Sequence, residues 1–300
     1  MNKGGNMSVQ LELQTLEERR PALLQHQFDL ALEFYAIEGD TDHTRRAHRE
    51  ISQQMALNAI DLVLPHVVRN MRERGLNRIA LVAPLRGALA LVTSETEEYL
   101  KNRLTELGLE DYDIELWAQG IKRHPEEDSA EVYYAIGYMD GHKEDTHVII
   151  LDWGTATGLT NDYGAHHIHE HGGVPFAQMT SLSMALADKG KKRLLERCVD
   201  EDDGTIHMEA ATHARLNEMD YIDALAPGYG GNFQNVPPKD WGARMWGMEI
   251  EGDTDEERYT QIEDFLTQFE YTFHHIIDER DIKFLREYYQ SKYLTANYTQ

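Results

Sequence analysis

The run VIILDWGTATGLT, Val148 to Thr160, sets one carboxylate, Asp152, at the end of an apolar stretch and follows it with small and hydroxyl-bearing residues. Small residues let successive backbone N–H groups converge on a phosphate. Threonine hydroxyls add donors, and the N-terminus of a following helix adds a favourable dipole. A carboxylate just outside such a cradle can accept hydrogen bonds from two vicinal ribose hydroxyls. The same composition also serves an ordinary strand-to-helix turn with threonine caps, so the run alone leaves both readings open. It is not a P-loop, because no GxxxxGK[ST] occurs, and no GxGxxG follows a strand.

Two arginines stand out, although an arginine after a strand is by itself usually a surface residue. Arg86 sits in APLRGAL, Ala83 to Leu89, and Arg123 in GIKRHPEEDSAEVYY, which ends on Tyr133 and Tyr134. A guanidinium fork meets two phosphate oxygens at once. Composition by itself makes KRHPEED an exposed turn and PGYGG, Pro227 to Gly231, another. A further cluster, AHHIHEHGG, carries His166, His167, His169, Glu170 and His171. His167 and His171 share a helical face and suit zinc or nickel, but no third ligand is evident. A polar helix end is the competing reading.

The elements that must hold these residues follow from periodicity. The first 75 residues read as helical: Ile51, Met55, Ala59, Leu62, Val63 and Val67 recur at helical spacing, Gly75 stands where a helix ends, and Pro21 and Pro65 start or kink helices. From Arg78 the rhythm becomes strand, turn, helix. Strands are predicted at RIALVAP, Ile114 to Ala118, Val132 to Tyr138, His147 to Leu151, Phe176 to Leu182 and Ile206 to Ala210. Helices are predicted at Leu159 to His171, Lys189 to Arg197 and Ala211 to Met219. This is an α/β fold, a mostly parallel sheet flanked by helices on both faces, whose ligands bind at the carboxyl ends of the strands. Past Gly247 an acidic opening leads into two aromatic-rich helices with Phe265, Phe269, Tyr271 and Phe273. The expected organisation is a helical region at 1–75 contributing to a hood or dimer contacts, a core at 76–248 and a C-terminal extension at 249–300.

Four segments, in one order, resemble the uracil phosphoribosyltransferase family, a branch of the type I phosphoribosyltransferases. DWGTATGLT is similar to the family's DPMLATGGS, APLRGAL to PILRAGL, and GIKRHPEEDSAEVYY to its GxxR segment followed by a tyrosine pair. LNEMDYIDALAPGYG with DWGARMWG is similar to LNEHGYIVPGLG with DAGDRIFG. The resemblance implies a small hood and hairpin besides the core. It implies that Asp152 contacts the ribose of phosphoribosyl diphosphate, and that Thr155, Ala156, Thr157, Gly158 and Thr160 hold the 5'-phosphate. Arg86 and Arg123 would meet the diphosphate, with Arg123 on a mobile hairpin. Tyr221, Ile222, Gly228, Gly230 and Asp240 would read the base. The implied reaction yields UMP from uracil, with Mg2+ carried mainly by the substrate diphosphate and no metal assigned directly to the protein, in a homodimer or higher oligomer. Residues Asp223 to Leu225 and Gly231 to Lys239 are extra relative to the family pattern, and both fall in the base-reading segment. A different heterocyclic acceptor, as in specialised nucleotide or C-nucleoside synthesis, is therefore an alternative, as is a nucleotide-sensing regulator.

Composition narrows the class without choosing the substrate. A formal charge of -24 argues against an unspecific nucleic-acid partner, since phosphate backbones need basic surface. One cysteine, Cys198, excludes an internal disulfide and fits a reducing cytoplasm. The polar start MNKGGNMSVQ and the lack of a long apolar run lead to the expectation of a cytoplasmic chain with small-molecule substrates and no membrane partner.

Overall fold

In the computed structural model, the described residues are 3–300 without 38, 40, 110, 125–126, 140–141, 156, 201–203, 215–244, 249–253, 296–297 and 299–300. Eight strands are described: β1 (Arg78–Leu85), β2 (Asp113–His124), β3 (Ser129–Ile136), β4 (Thr146–Thr155), β5 (Met179–Ala187), β6 (Val199–Asp200), β7 (Gly204–Thr205) and β8 (His207–Ala214). The main sheet runs β3-β2-β1-β4-β5-β8, and β6 pairs with β7 apart from it. Neighbours in the main sheet are parallel except β3, which runs antiparallel to β2 as an edge hairpin.

Helices cover both faces. α1 (Lys3–Ala36), α2 (Asp42–Arg74) and α3 (Ser94–Glu106) lie on one side with α6 (Asp255–Phe273) and α7 (Glu279–Tyr293); α4 (Leu159–Gly172) and α5 (Asp188–Arg197) lie on the other. Strand alternation sorts the core accordingly. Ile149, Leu151 and Trp153 of β4 join the first layer, with Met55, Val63, Leu100 and Phe265. Val148 and Ile150 join the second, with Ala165, Ile168 and Leu194. The α/β architecture read from the periodicity is the observed one. Among the described residues no helix is long and apolar enough to cross a membrane.

Local signals explain several boundaries. Thr41 and Thr44 form a capping box at the start of α2, and Gly75 ends it at φ 67, donating its N–H to the Met71 carbonyl. Thr254 with Glu257, and Asp278 with Asp281, cap α6 and α7 in the same way. Pro21 and Pro65 lie inside α1 and α2 rather than at their starts.

Three expectations are corrected. Ala211–Ala214 belong to β8, not to a helix, because Thr212, His213 and Ala214 take up the parallel ladder with Ala185, Leu186 and Ala187. The alanines' helix preference is small beside a whole ladder of backbone bonds; residues 215–219 lie outside the described residues. Phe176–Gln178 form a 3-10 turn, and the strand starts at Met179. The hairpin strand ends at Ile136, since Gly137 turns at φ 101, where an added Cβ would meet the Trp117 ring at 2.1 Å.

The N-terminal ends of the strands are closed by histidines. His66 of α2 stacks on His207 with centroids 3.6 Å apart and lies 6.0 Å from His147. His147 places Nδ1 3.0 Å from Asn70 Oδ1 and Nε2 3.1 Å from Thr180 Oγ1. Burial pushes His66 down to about 4 and His147 down to about 3, and lowers His207 as well. Arg20, Arg69 and Arg74 add to the lowering, while Glu209, which accepts from Arg20 at 2.6 Å, opposes it at His207. These histidines fold neutral, so below pH 6.5 the unfolded chain takes up protons first and stability falls towards pH 4. His167 acts in the same sense, and His166, raised by Asp162, in the opposite one. The urea midpoint is accordingly expected to drop between pH 7.5 and 5. The drop should be smaller in His147→Gln, and an unchanged pH slope in that variant removes this explanation.

Candidate functional site

Pairing between β1 and β4 stops at Val82 with Ile150, yet β1 continues to Leu85 and β4 to Thr155. The two strands part at their carboxyl ends. From β1 the chain passes through α3 to β2 on one side of the sheet's centre. From β4 it passes through α4 to β5 on the other, and α3 and α4 pack on opposite faces. This is the switch point of a doubly wound sheet, where such folds offer a crevice to ligands.

Asp152 and the following loop line this crevice from β4. The Asp152 carboxylate is half-buried and accepts the Trp153 N–H at 2.8 Å. Trp153 points the other way, 1% exposed, with its ring 4.8 Å from Phe34. The strand does not end at Asp152: it reaches Thr155, whose hydroxyl is buried, 2.6 Å from Ser183 Oγ. Asn161 Nδ2 donates to that hydroxyl at 2.8 Å and to Ser181 Oγ at 2.7 Å, so the first turn of α4 is tied to β5.

Gly158 is the N-cap of α4, at φ 79 and without a side-chain capping bond. The N-cap position itself therefore supplies no side-chain acceptor; the Leu159 N–H reaches the Thr157 hydroxyl at 3.5 Å, a long contact at the first turn of α4. An added Cβ at Gly158 would stand 3.1 Å from the Gly190 carbonyl and 3.2 Å from Arg193 Cδ, which together with the left-handed φ reserves the position for glycine. Thr157 and Thr160 are partly exposed beside it, and Ala156 lies outside the described residues.

Arg86 follows β1 directly and is 7% exposed, its guanidinium 5.3 Å from the Tyr293 ring centroid of α7. Tyr133 of β3 shares a 3.1 Å hydrogen bond with the Tyr289 hydroxyl and stacks on Tyr288 at 4.0 Å. Gly120 makes room for that ring: a Cβ there would lie 2.4 Å from Tyr133 Cζ. Burial raises the Tyr133 phenol far above its usual range, and the Tyr289 hydroxyl adds to this against nearby Arg86. Arg123 is exposed on β2, three residues beyond the last β1 pairing, Leu85 with Gly120. The tail's share in this wall is not legible in the sequence, where Phe265, Phe269, Tyr271 and Phe273 mark the extension only as aromatic-rich.

The hairpin and the first turn of α4 are fastened by one arginine. Arg193 of α5 donates Nε to Asp162 Oδ2 at 2.8 Å and forks onto Asp128 at the hairpin turn at 2.9 and 3.0 Å. Arg197 Nε also meets Asp162 Oδ2, at 2.7 Å, while His166 Nδ1 lies 3.1 Å from Oδ1. Burial works to raise the Asp162 carboxyl, but bonds from His166, Arg193 and Arg197 outweigh it and hold the group below its usual value. Cys198 Sγ stands 3.9 Å from Asp162 Oδ1, so Asp162, His166 and Cys198 bring three ligand-type atoms within 4.8 Å of one another. That carboxylate already carries two guanidiniums. His167 instead contacts the Tyr138 hydroxyl through Nδ1 at 2.9 Å, with the His171 ring 4.3 Å away.

The five residues expected to read a base, Tyr221, Ile222, Gly228, Gly230 and Asp240, lie outside the described residues. The end of that segment is described. Arg49 of α2 donates to the Met245 carbonyl at 2.6 Å and lies 4.8 Å from the Trp246 ring centroid.

No family model and no curated protein matches the chain. Among solved structures, the AQ2163 protein from Aquifex aeolicus is similar at 18% identity and TM-score 0.46, over 75% of this chain and 94% of that one. A hypoxanthine phosphoribosyltransferase variant from Trypanosoma cruzi, complexed with the product IMP, is similar at 14% identity and TM-score 0.35, over 54% and 74%. A hypoxanthine-guanine phosphoribosyltransferase from Bacillus anthracis is similar at 13% identity and TM-score 0.32, over 55% and 78%.

Arg193→Ala removes the link between Asp128 and Asp162. Amide exchange at Ser129 and Ala130 should quicken by about 5- to 10-fold. Exchange in β1 should stay as it was. Equal protection of the hairpin in both proteins would show that the pair does not hold it.

Proposed function

We propose that this chain is a phosphoribosyltransferase, moving the 5-phosphoribosyl group from phosphoribosyl diphosphate to a ring nitrogen of uracil, with UMP and diphosphate as products. The observation that carries the reading is a convergence at the parting of β1 and β4. One half-buried carboxylate, a helix N-terminus whose N-cap is a glycine and a largely buried arginine stand at the ends of neighbouring strands at a switch point. A sugar carrying phosphate at both ends needs that set of groups.

In this reading the N–H groups at Thr157 to Thr160, with the backbone of Thr155 and Ala156, hold the 5'-phosphate, while the Thr155 hydroxyl stays in the network with Ser183 and Asn161. Asp152 accepts from the ribose hydroxyls and fixes the ring. Arg86 and Arg123 meet the diphosphate and stabilise the charge that develops as the glycosidic C–O bond breaks. The transition state resembles an oxocarbenium ion, so positioning and the exclusion of water do the work, with no protein nucleophile needed. Mg2+ enters with the donor as part of the substrate and, when bound, neutralises diphosphate charge. As a hard cation that leans on one or two carboxylates besides phosphates, it fits Asp152. Tyr221, Ile222, Gly228, Gly230 and Asp240 read the pyrimidine. The single cysteine suits a cytoplasmic enzyme, and a homodimer or higher oligomer belongs to the same reading.

The extra residues at 223–225 and 231–239 favour a second reading, the same chemistry on another heterocycle. A panel of heterocycles with labelled phosphoribosyl diphosphate separates the two. UMP from uracil is the expected outcome, turnover of a different ring with uracil inert selects the alternative, and no diphosphate release with any acceptor sinks the enzyme.

Asp152→Asn tests the sugar contact. Losing charge-assisted hydrogen bonds should lower kcat/KM for the donor by about 10- to 100-fold, with the thermal midpoint nearly unchanged. Full turnover in that variant removes Asp152 from its role.

A further inference from the structure

The aromatic wall beside Arg86 is built by the last described helix. Tyr293 presents its ring to the Arg86 guanidinium at 5.3 Å, within the range over which the negative face of an aromatic ring attracts a cation. Lys292 adds an ammonium 4.7 Å from the same ring centroid, so the end of α7 carries positive charge towards this corner. The placement is braced: Arg258 of α6 donates to the Tyr293 carbonyl at 3.3 Å, and Asp255 accepts the Thr295 N–H at 3.2 Å. On the side of the hairpin, the Tyr133–Tyr289 hydroxyl pair and the Tyr133–Tyr288 stack fix β3 against α7.

We infer that α7 is part of the donor site and that Tyr293 is a positioning residue which holds the Arg86 guanidinium for the diphosphate. This rests on the phosphoribosyl-transfer reading, which makes Arg86 a diphosphate contact. An arginine at a strand end has several rotamers of similar energy, and each bond it makes to a polyanion costs the entropy of choosing one. A ring that holds the guanidinium in advance removes part of that cost, since the aromatic face attracts the cation without accepting a conventional hydrogen bond. The 5'-phosphate, gripped at Gly158 and α4, is outside the reach of this contact. Tyr293 therefore acts on one end of the donor only.

Calorimetric titration of the full chain with magnesium diphosphate and, separately, with ribose 5-phosphate tests this. Tyr293→Phe keeps the ring and should bind both ligands as the wild type does. Tyr293→Leu should weaken magnesium diphosphate by about 5- to 30-fold, the range of a partly desolvated cation–aromatic contact, and leave ribose 5-phosphate unchanged. The KM for the donor should rise by a similar factor, with kcat little altered. Where the leucine variant fails to fold, phenylalanines of increasing fluorination at position 293 hold the shape while weakening the ring's negative face, and the diphosphate Kd should rise stepwise with fluorine content. Equal affinity across that series, or equal losses for the two ligands, overturns the role of Tyr293 and leaves the proposed function standing. A wild type that binds neither ligand overturns the proposed function and this inference with it.

Discussion

The parting of β1 and β4 beyond Val82 and Ile150 is the constraint on which the rest of the arrangement depends. Up to that pair, the two strands at the sheet's centre are bonded to each other and buried on both faces. Past it, each keeps only its outer neighbour, β1 pairing with β2 as far as Leu85 and β4 with β5 as far as Thr155, with α3 and α4 packed on opposite faces. Backbone groups freed from the ladder need other partners. The crevice is thus a consequence of connectivity, and the chemistry-bearing residues are those that follow immediately where the pairing ends.

Around the crevice, two kinds of support act on different scales. Near Gly158 it is ionic: Asp162, with no exposed side-chain area, gathers Arg193, Arg197 and His166 and through Arg193 reaches the hairpin at Asp128. A buried carboxylate with this many donors is a rigid point, since both of its oxygens are fixed by charge-assisted hydrogen bonds. Near Arg86 the support is aromatic, and Tyr133, Tyr288, Tyr289 and Tyr293 supply surface and shape with few ionic groups. Gly120 and Gly158 are the two places where a side chain would collide with that support, against Tyr133 in one case and against α5 in the other.

Much of the sheet was legible in the sequence because its signals are local. Apolar runs at Arg78 and His147, the αL glycine at Gly75 and the small-residue turn at Gly158 each act within a few residues, and the observed elements lie there. The misread stretch at Ala211 failed because a strand at the sheet edge is decided by its neighbour β5, which local propensity does not register. For the same reason the Thr155 hydroxyl looked free to meet an anion, when Ser183, twenty-eight residues on, and Asn161 already engage it. The aromatic tail was recognisable as helical but not as a wall of the crevice, since nothing near Tyr293 in the chain mentions Arg86.

That last contact bears on how the molecule is assembled. Arg86 and Tyr293 are joined across more than two hundred positions of chain, a closure that must await the ordering of nearly everything between them. The loop before α4 is supported by β4, α4, β5 and α5, which follow one another closely in the chain. During synthesis the two ends of the crevice therefore mature at different times. A nascent chain with its sheet formed carries the loop beside Gly158, while the guanidinium at Arg86 has no wall behind it until α7 arrives.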